Sequence, residues 1–176
     1  FDFDNDGDQD ILLVGATDWP WAKIANSSKP KSSLRLYRND GQGRFEDATE
    51  AMGLITSFYA MGPAFGDFDG DGFVDIFITA VGQCRLYKNE QGQRFVDVSE
   101  AMGVKGSENA WSCPAMFFDY DRDGRLDLMV GHYVEWSREL DLRQGFTLTG
   151  LGRAYGPPTA FGGTFLTLYH NDGNQF

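Results

Sequence analysis

Short apolar runs alternate with glycine- and aspartate-rich turns along the whole chain. Ile-Leu-Leu-Val at 11–14, Ile-Phe-Ile-Thr-Ala-Val at 76–81 and Leu-Met-Val at 128–130 are brief, lack helical caps and are bounded by turn residues. Runs of this kind are expected as strands buried on both faces. The segments Arg-Leu-Tyr-Arg-Asn from Arg35 and Arg-Leu-Tyr-Lys-Asn from Arg85 instead alternate polar and apolar, the pattern of a half-buried strand. The turn-forming residues after Tyr37 and Tyr87 are expected to join each in a hairpin to Arg-Phe-Glu-Asp-Ala at 44–48 or Arg-Phe-Val-Asp-Val at 94–98. The segments 49–53 and 99–103 read as single helical turns, capped by Thr49 or Ser99 and ended by Gly53 or Gly103. The chemistry is that of an all-β fold.

The pattern repeats. DFDNDGDQDILLVG from Asp2, DFDGDGFVDIFITA from Asp67 and DYDRDGRLDLMVGH from Asp119 are near copies, and each is followed by a second element, at Leu36, Leu86 and Leu168, that reads Leu-Tyr-x-Asn. The units span 1–54, 55–104 and 105–176, so the repeat length is on the order of fifty residues. The middle unit is compact. The outer two carry insertions at 15–33 and 132–163, the segments where contact functions are expected, because insertions on a rigid β scaffold are free to vary. Unit one lacks a strand before Asp2 and unit three stops as its last strand begins, so the repeats are expected to belong to a longer chain.

Composition narrows the function. Fifteen Lys and Arg stand against 26 Asp and Glu, a formal charge of −11, which disfavours a nucleic-acid partner. The 41% of hydrophobic residues suffices for a packed core, and no apolar run is long enough to span a membrane.

Much of the acidity is local. Each first motif places acids at loop positions one, three, five and nine: Asp2, Asp4, Asp6 and Asp10; Asp67, Asp69, Asp71 and Asp75; Asp119, Asp121, Asp123 and Asp127. Position six is Gly7, Gly72 or Gly124, which permits a sharp turn that brings the carbonyl at position seven (Asp8, Phe73, Arg125) to the same centre. Clustered carboxylates repel unless solvated or neutralised, and a hard cation wants six to eight oxygens. Calcium, about one ion per repeat, is the expected cofactor. Magnesium is disfavoured by its retained waters and strict geometry, and zinc by the lack of His or Cys ligands in the motif. An EF-hand is excluded: its loop needs Glu at position twelve and flanking helices, whereas Leu13, Ile78 or Val130 stands there between strands.

On these motifs, with Phe65-Gly66 before the second loop, the chain closely resembles the FG-GAP repeats, also called VCBS-type repeats, of integrin α-subunit propellers and secreted bacterial proteins. The Leu-Tyr-Arg-Asn-Asp-Gly element, His-Tyr-Val-Glu-Trp-Ser at 132–137 and the glycine-rich stretch before Leu168 look like the branch that includes cartilage acidic protein and the ASPIC/UnbV proteins. The resemblance implies a partial β-propeller of three repeats built from four-stranded antiparallel blades, with calcium between the first two strands of each blade. It implies a module that is extracellular, periplasmic or cell-surface, used for adhesion-type contact with a protein or surface glycan. The remaining blades of the same chain, or neighbouring subunits, would complete it. A scaffold within a larger secreted enzyme and a structural subunit of an extracellular assembly are the alternatives.

Catalytic signatures are weak. His132 and His170 have structural or surface explanations, Ser112-Cys113 has no neighbouring histidine in sequence, and the loop at 150–156 lacks the strand-to-helix context of a dinucleotide site, so no catalytic residue is assigned. Cys84 and Cys113 permit one disulfide at most, with two ordinary core thiols as the alternative. Asn26 opens a glycosylation sequon. Trp19, Trp21, Trp111 and Trp136 offer either a carbohydrate or protein contact platform or packing between blades.

Overall fold

The structure is a computed structural model and describes residues 1–16, 32–154 and 156–176. Trp19, Trp21, Asn26 and most of the first insertion lie outside the described residues. The fold is mostly β. Strands β1 (Ile11–Val14), β2 (Leu34–Asn39) and β3 (Phe45–Asp47) form one antiparallel sheet. Strands β4 (Tyr59–Gly66), β5 (Asp75–Val81), β6 (Arg85–Asn89) and β7 (Phe95–Asp97) form a complete four-stranded meander. The third sheet joins β8 (Ser112–Phe118), β9 (Asp127–His132) and β12 (Thr167–Tyr169) in the order β12-β9-β8. Among the described residues the middle sheet therefore has all four strands of a blade and the outer two have three each. The acidic loops lie between β4 and β5 and between β8 and β9, and the first precedes β1.

The second insertion is not purely β. It holds a two-stranded ribbon of β10 (Thr147–Leu148) and β11 (Gly152–Arg153), a 3-10 turn at Pro158–Ala160, and one helix, α1 (Arg138–Gln144). Ser137 accepts the Leu140 N–H to start the helix, and Gly145 at φ 62° ends it. No helix among the described residues is long and apolar enough to cross a membrane.

The sheets pack face to face, with β8 against β4 and β5, and β1 against β4. Strand β5 is buried along its whole length, and its alternation serves two cores at once. Ile76 and Ile78 join Phe3, Leu34, Leu36 and Phe95 between the first two sheets, while Phe77 joins Leu86, Val104, Leu128 and Val130 between the second and third. The run at 11–14 departs from the expectation of two buried faces, since Ile11 is 41% and Leu13 54% exposed. Among the described residues no sheet lies outside β1 to cover that face.

The segments 49–53 and 99–103 do turn once, through Met52 N–H to Ala48 O and Met102 N–H to Val98 O, both at 2.9 Å, and Gly53 and Gly103 close them at φ 74°. Thr49 and Ser99 do not cap those turns. Their hydroxyls accept the Leu36 and Leu86 N–H groups at 2.9 and 2.8 Å and bond to Asp47 and Asp97, which pins each turn to its own sheet. Cys84 and Cys113 are free thiols, Cys84 buried and Cys113 half-buried. Cys84 instead bonds to Ser112, and burial raises its thiol above the usual range.

Candidate metal centre

The three acidic loops share one hydrogen-bonding scheme. At position one, Asp2, Asp67 and Asp119 each accept the N–H of the glycine at position six, at 3.0, 2.8 and 3.0 Å. At position five, Asp6, Asp71 and Asp123 accept the N–H of position seven, at 2.9, 3.0 and 2.9 Å. At position nine, both oxygens are used, one on the N–H of position two and one on the N–H of the Asn that closes the Leu-Tyr-x-Asn element. Asp10 thus holds Phe3 and Asn39, Asp75 holds Phe68 and Asn89, and Asp127 holds Tyr120 and Asn171.

The backbone follows the same plan. Position four is left-handed in every loop although its residue changes, with Asn5 at φ 59°, Gly70 at 74° and Arg122 at 66°. Position six lies at φ 93°, 92° and 89°, and a Cβ there would meet nothing within 4 Å, so backbone conformation and not space requires the glycine.

This scheme turns carboxylate oxygens toward a common centre. Asp2, Asp4 and Asp6 offer one oxygen each within 4.8 Å of one another, as do Asp67, Asp69 and Asp71, and Asp119, Asp121 and Asp127. Two oxygens on opposite sides of a calcium ion stand about 4.8 Å apart, so the spacing fits. The Oδ1 atoms of Asp2 and Asp4 are buried and accept no hydrogen bond, a cost that a cation would remove. The residues present therefore fit calcium. The side chain of Asp8 turns toward Gly41, which leaves position seven to contribute through its carbonyl.

Electrostatics separates the three copies. Burial, with Asp6, Asp10 and Asp2 nearby, pushes the Asp4 carboxyl up against the opposing pull of Arg38. Asp75 is pushed up to about 7, chiefly by burial, with Asp69 and Asp71 adding to it. At Asp127 burial is outweighed by the N–H groups of Asn171 and Tyr120 and by His170, and its carboxyl stays below the usual range.

Two sets of residues went unassigned in the sequence. The first is the variable position of Leu-Tyr-x-Asn, whose side chain reaches its own acidic loop in every unit. Arg38 Nε lies 2.9 Å from Asp4, Lys88 bonds Asp69 and stands 3.5 Å from Asp71, and His170 Nδ1 lies 3.1 Å from Asp127 and 3.7 Å from Asp121. The second is the asparagine that follows. The Nδ2 of Asn89 donates to Val74 O in its own loop and to Phe3 O in the loop of the preceding unit, and Asn171 does the same to Leu126 O and Phe68 O. The signal for both was the identical placement of the element in three repeats.

Elsewhere, the fold brings together what sequence kept apart. Ser112 has a histidine after all, since the register of β8 against β9 sets His132 Nδ1 3.2 Å from its Oγ. The other ring nitrogen meets Thr167 Oγ1 at 2.9 Å, and Ser112 is only 2% exposed, so the group ties three strands and does not form an accessible nucleophile. Trp111 and Trp136 meet beside the second insertion, while His170 edges against Tyr120.

A family model described as an FG-GAP-like repeat matches residues 2–78 and 70–130. No curated protein matches the chain.

Proposed function

The chain belongs to the FG-GAP-like repeat family, and from that premise we propose that it is a calcium-binding, non-catalytic β-propeller module. It works outside the cell, in the periplasm or at the cell surface, and makes contacts with proteins or surface glycans. The observation that carries the metal assignment is the pair of buried, unbonded oxygens of Asp2 and Asp4, set in a loop whose geometry recurs twice. Millimolar calcium outside cells would fill a site of the weak extracellular class, with Kd on the order of 10⁻⁴–10⁻³ M. Calcium acts here as a structural ion. It replaces the mutual repulsion of the carboxylates with a shared centre and locks each loop onto the strand that follows.

Calcium titration with elemental analysis, together with melting curves before and after chelation, tests this reading. About one ion per loop is expected, each contributing about 1.4 kcal/mol at a concentration roughly tenfold above Kd. A melting temperature that excess chelator leaves unchanged, in protein that carries no calcium, overturns it.

A further inference from the structure

We propose that the cleft between the third sheet and the second insertion binds an uncharged saccharide. The inference names a partner class for the contact role above and rests on that role, but the cleft is lined by none of the acidic-loop residues.

Trp111 and Trp136 stand at 87° with ring centroids 5.8 Å apart, and Tyr133 tilts against Trp111 at 5.4 Å. This corner divides two adjoining spaces. On one side is a pocket of about 150 Å³ closed by Tyr133, Pro158, Phe161 and Asp141. On the other is a cleft of about 390 Å³ edged by Ser107, Asn109, Glu135 and Thr164. Apolar and aromatic walls with a few convergent polar groups are the usual make-up of a small-molecule site, and the cleft is of the usual size, with the smaller pocket adjoining it.

The chemistry selects the ligand. A pyranose ring presents a face of C–H groups that packs on an aromatic wall and a rim of hydroxyls that both donate and accept. The rim here offers hydroxyl, amide and carboxylate partners of both kinds. None of the described lining residues is Lys or Arg, and His132 has both ring nitrogens engaged with Ser112 and Thr167, which leaves a phosphate, sulfate or sialic acid without a counter-charge. An organic cation finds little free charge in the aromatic pocket itself. In the aromatic pocket the carboxylate of Asp141 already holds Arg153 at 2.6 Å, which leaves Glu135, on the edge of the cleft, as the acid that a cation would need, and the choline control tests that alternative directly.

The test is titration calorimetry of the calcium-saturated full chain. The probes are the methyl glycosides of glucose, galactose, mannose and N-acetylglucosamine, with choline and a sialic acid methyl glycoside as charged controls. At least one neutral glycoside is expected to bind with a millimolar or tighter Kd. Trp111→Ala should weaken it by about tenfold or more, and Asn109→Ala, an exposed change, by several-fold with the melting temperature unaltered. Where Trp111→Ala does not fold, Asn109→Ala decides. The proposal is overturned if no neutral glycoside binds, if a charged control binds in preference, or if binding survives both substitutions. Calcium stoichiometry is measured on the same samples. Metal without glycoside binding sinks only the saccharide site, and glycoside binding without metal sinks only the metal reading.

Discussion

The side-chain amide of Asn89 donates to the main-chain carbonyl of Phe3 at 2.7 Å across 86 residues of sequence. Phe3 is position two of the first acidic loop, and Asn89 follows the second. One side chain therefore joins two candidate metal sites, and Asn171 repeats the arrangement between the second and third through Phe68.

Asn89→Ala leaves the carbonyls of Phe3 and Val74 and the N–H of Gly92 without their partner. A loss of about 2–4 kcal/mol is expected, since buried groups stripped of a partner cost about 1–3 kcal/mol each and partly relax. Asn39→Ala should cost less, because Asn39 Nδ2 reaches only Gln9 in its own loop, at an exposed position. Denaturant unfolding of the two variants checks the ranking, and equal losses would show that the bond between loops contributes nothing.

Lys88 supplies a cation where calcium would supply another. Contact with Asp69, by hydrogen bond first and charge second, raises the ammonium pKa. Lys88→Met should therefore have opposite effects in the two metal states, lowering the stability of chelated protein while tightening calcium binding at the second loop. A change of about two- to fivefold in Kd corresponds to the ~0.4–1 kcal/mol of an exposed pair. Weaker calcium binding in the variant would mean that the lysine supports the ion.

Chelated protein should lose stability as pH rises. The folded Asp75 carboxyl titrates at about 7 and the unfolded one near 3.8. Between those values the folded chain holds a proton that the unfolded chain has released, so stability is greatest at the acid end and declines until about pH 7. Unfolding free energies across that window should show a negative slope that Asp75→Asn reduces. A slope that persists in the variant would assign it to other groups.

Gly66 is a close-approach glycine. A Cβ there would stand 2.9 Å from the Phe117 ring and 3.0 Å from Leu126 Cδ1. Phe65 and Phe117 hold equivalent positions, and Phe65 stacks on Phe1 with centroids 4.4 Å apart. Where the first unit offers a ring, the second offers bare backbone, and Phe117 packs onto it. Gly66→Ala should destabilise by about 1–3 kcal/mol through overpacking, and Phe117→Leu in the same protein should recover part of it, as thermal melts of the two variants would show. A double variant no more stable than the single one would place the strain elsewhere.

The sequence by itself determined the repeats, the strand chemistry and the acidic loops, because these rest on local rules. Alternation fixes which side of a strand faces a core, and glycine at position six fixes where the chain can take a φ near +90°. The clustering of carboxylates at positions one, three and five of the first two loops follows from the same local spacing, whereas in the third loop it is Asp127, at position nine, that joins Asp119 and Asp121. What lies between units was not legible, since nothing local distinguishes one asparagine from another. That Asn89 reaches back to Phe3, that Phe77 and Ile78 serve different cores, and that Ser112 meets His132 depend on how whole sheets are stacked. The tertiary structure also decided the exposed side of β1 and the free state of Cys84, through the neighbours that packing supplies or withholds. Position nine is the sharpest case: Asp75 and Asp127 are both buried, and burial pushes the Asp75 carboxyl up while the contact of His170 with Asp127 helps to hold that carboxyl down.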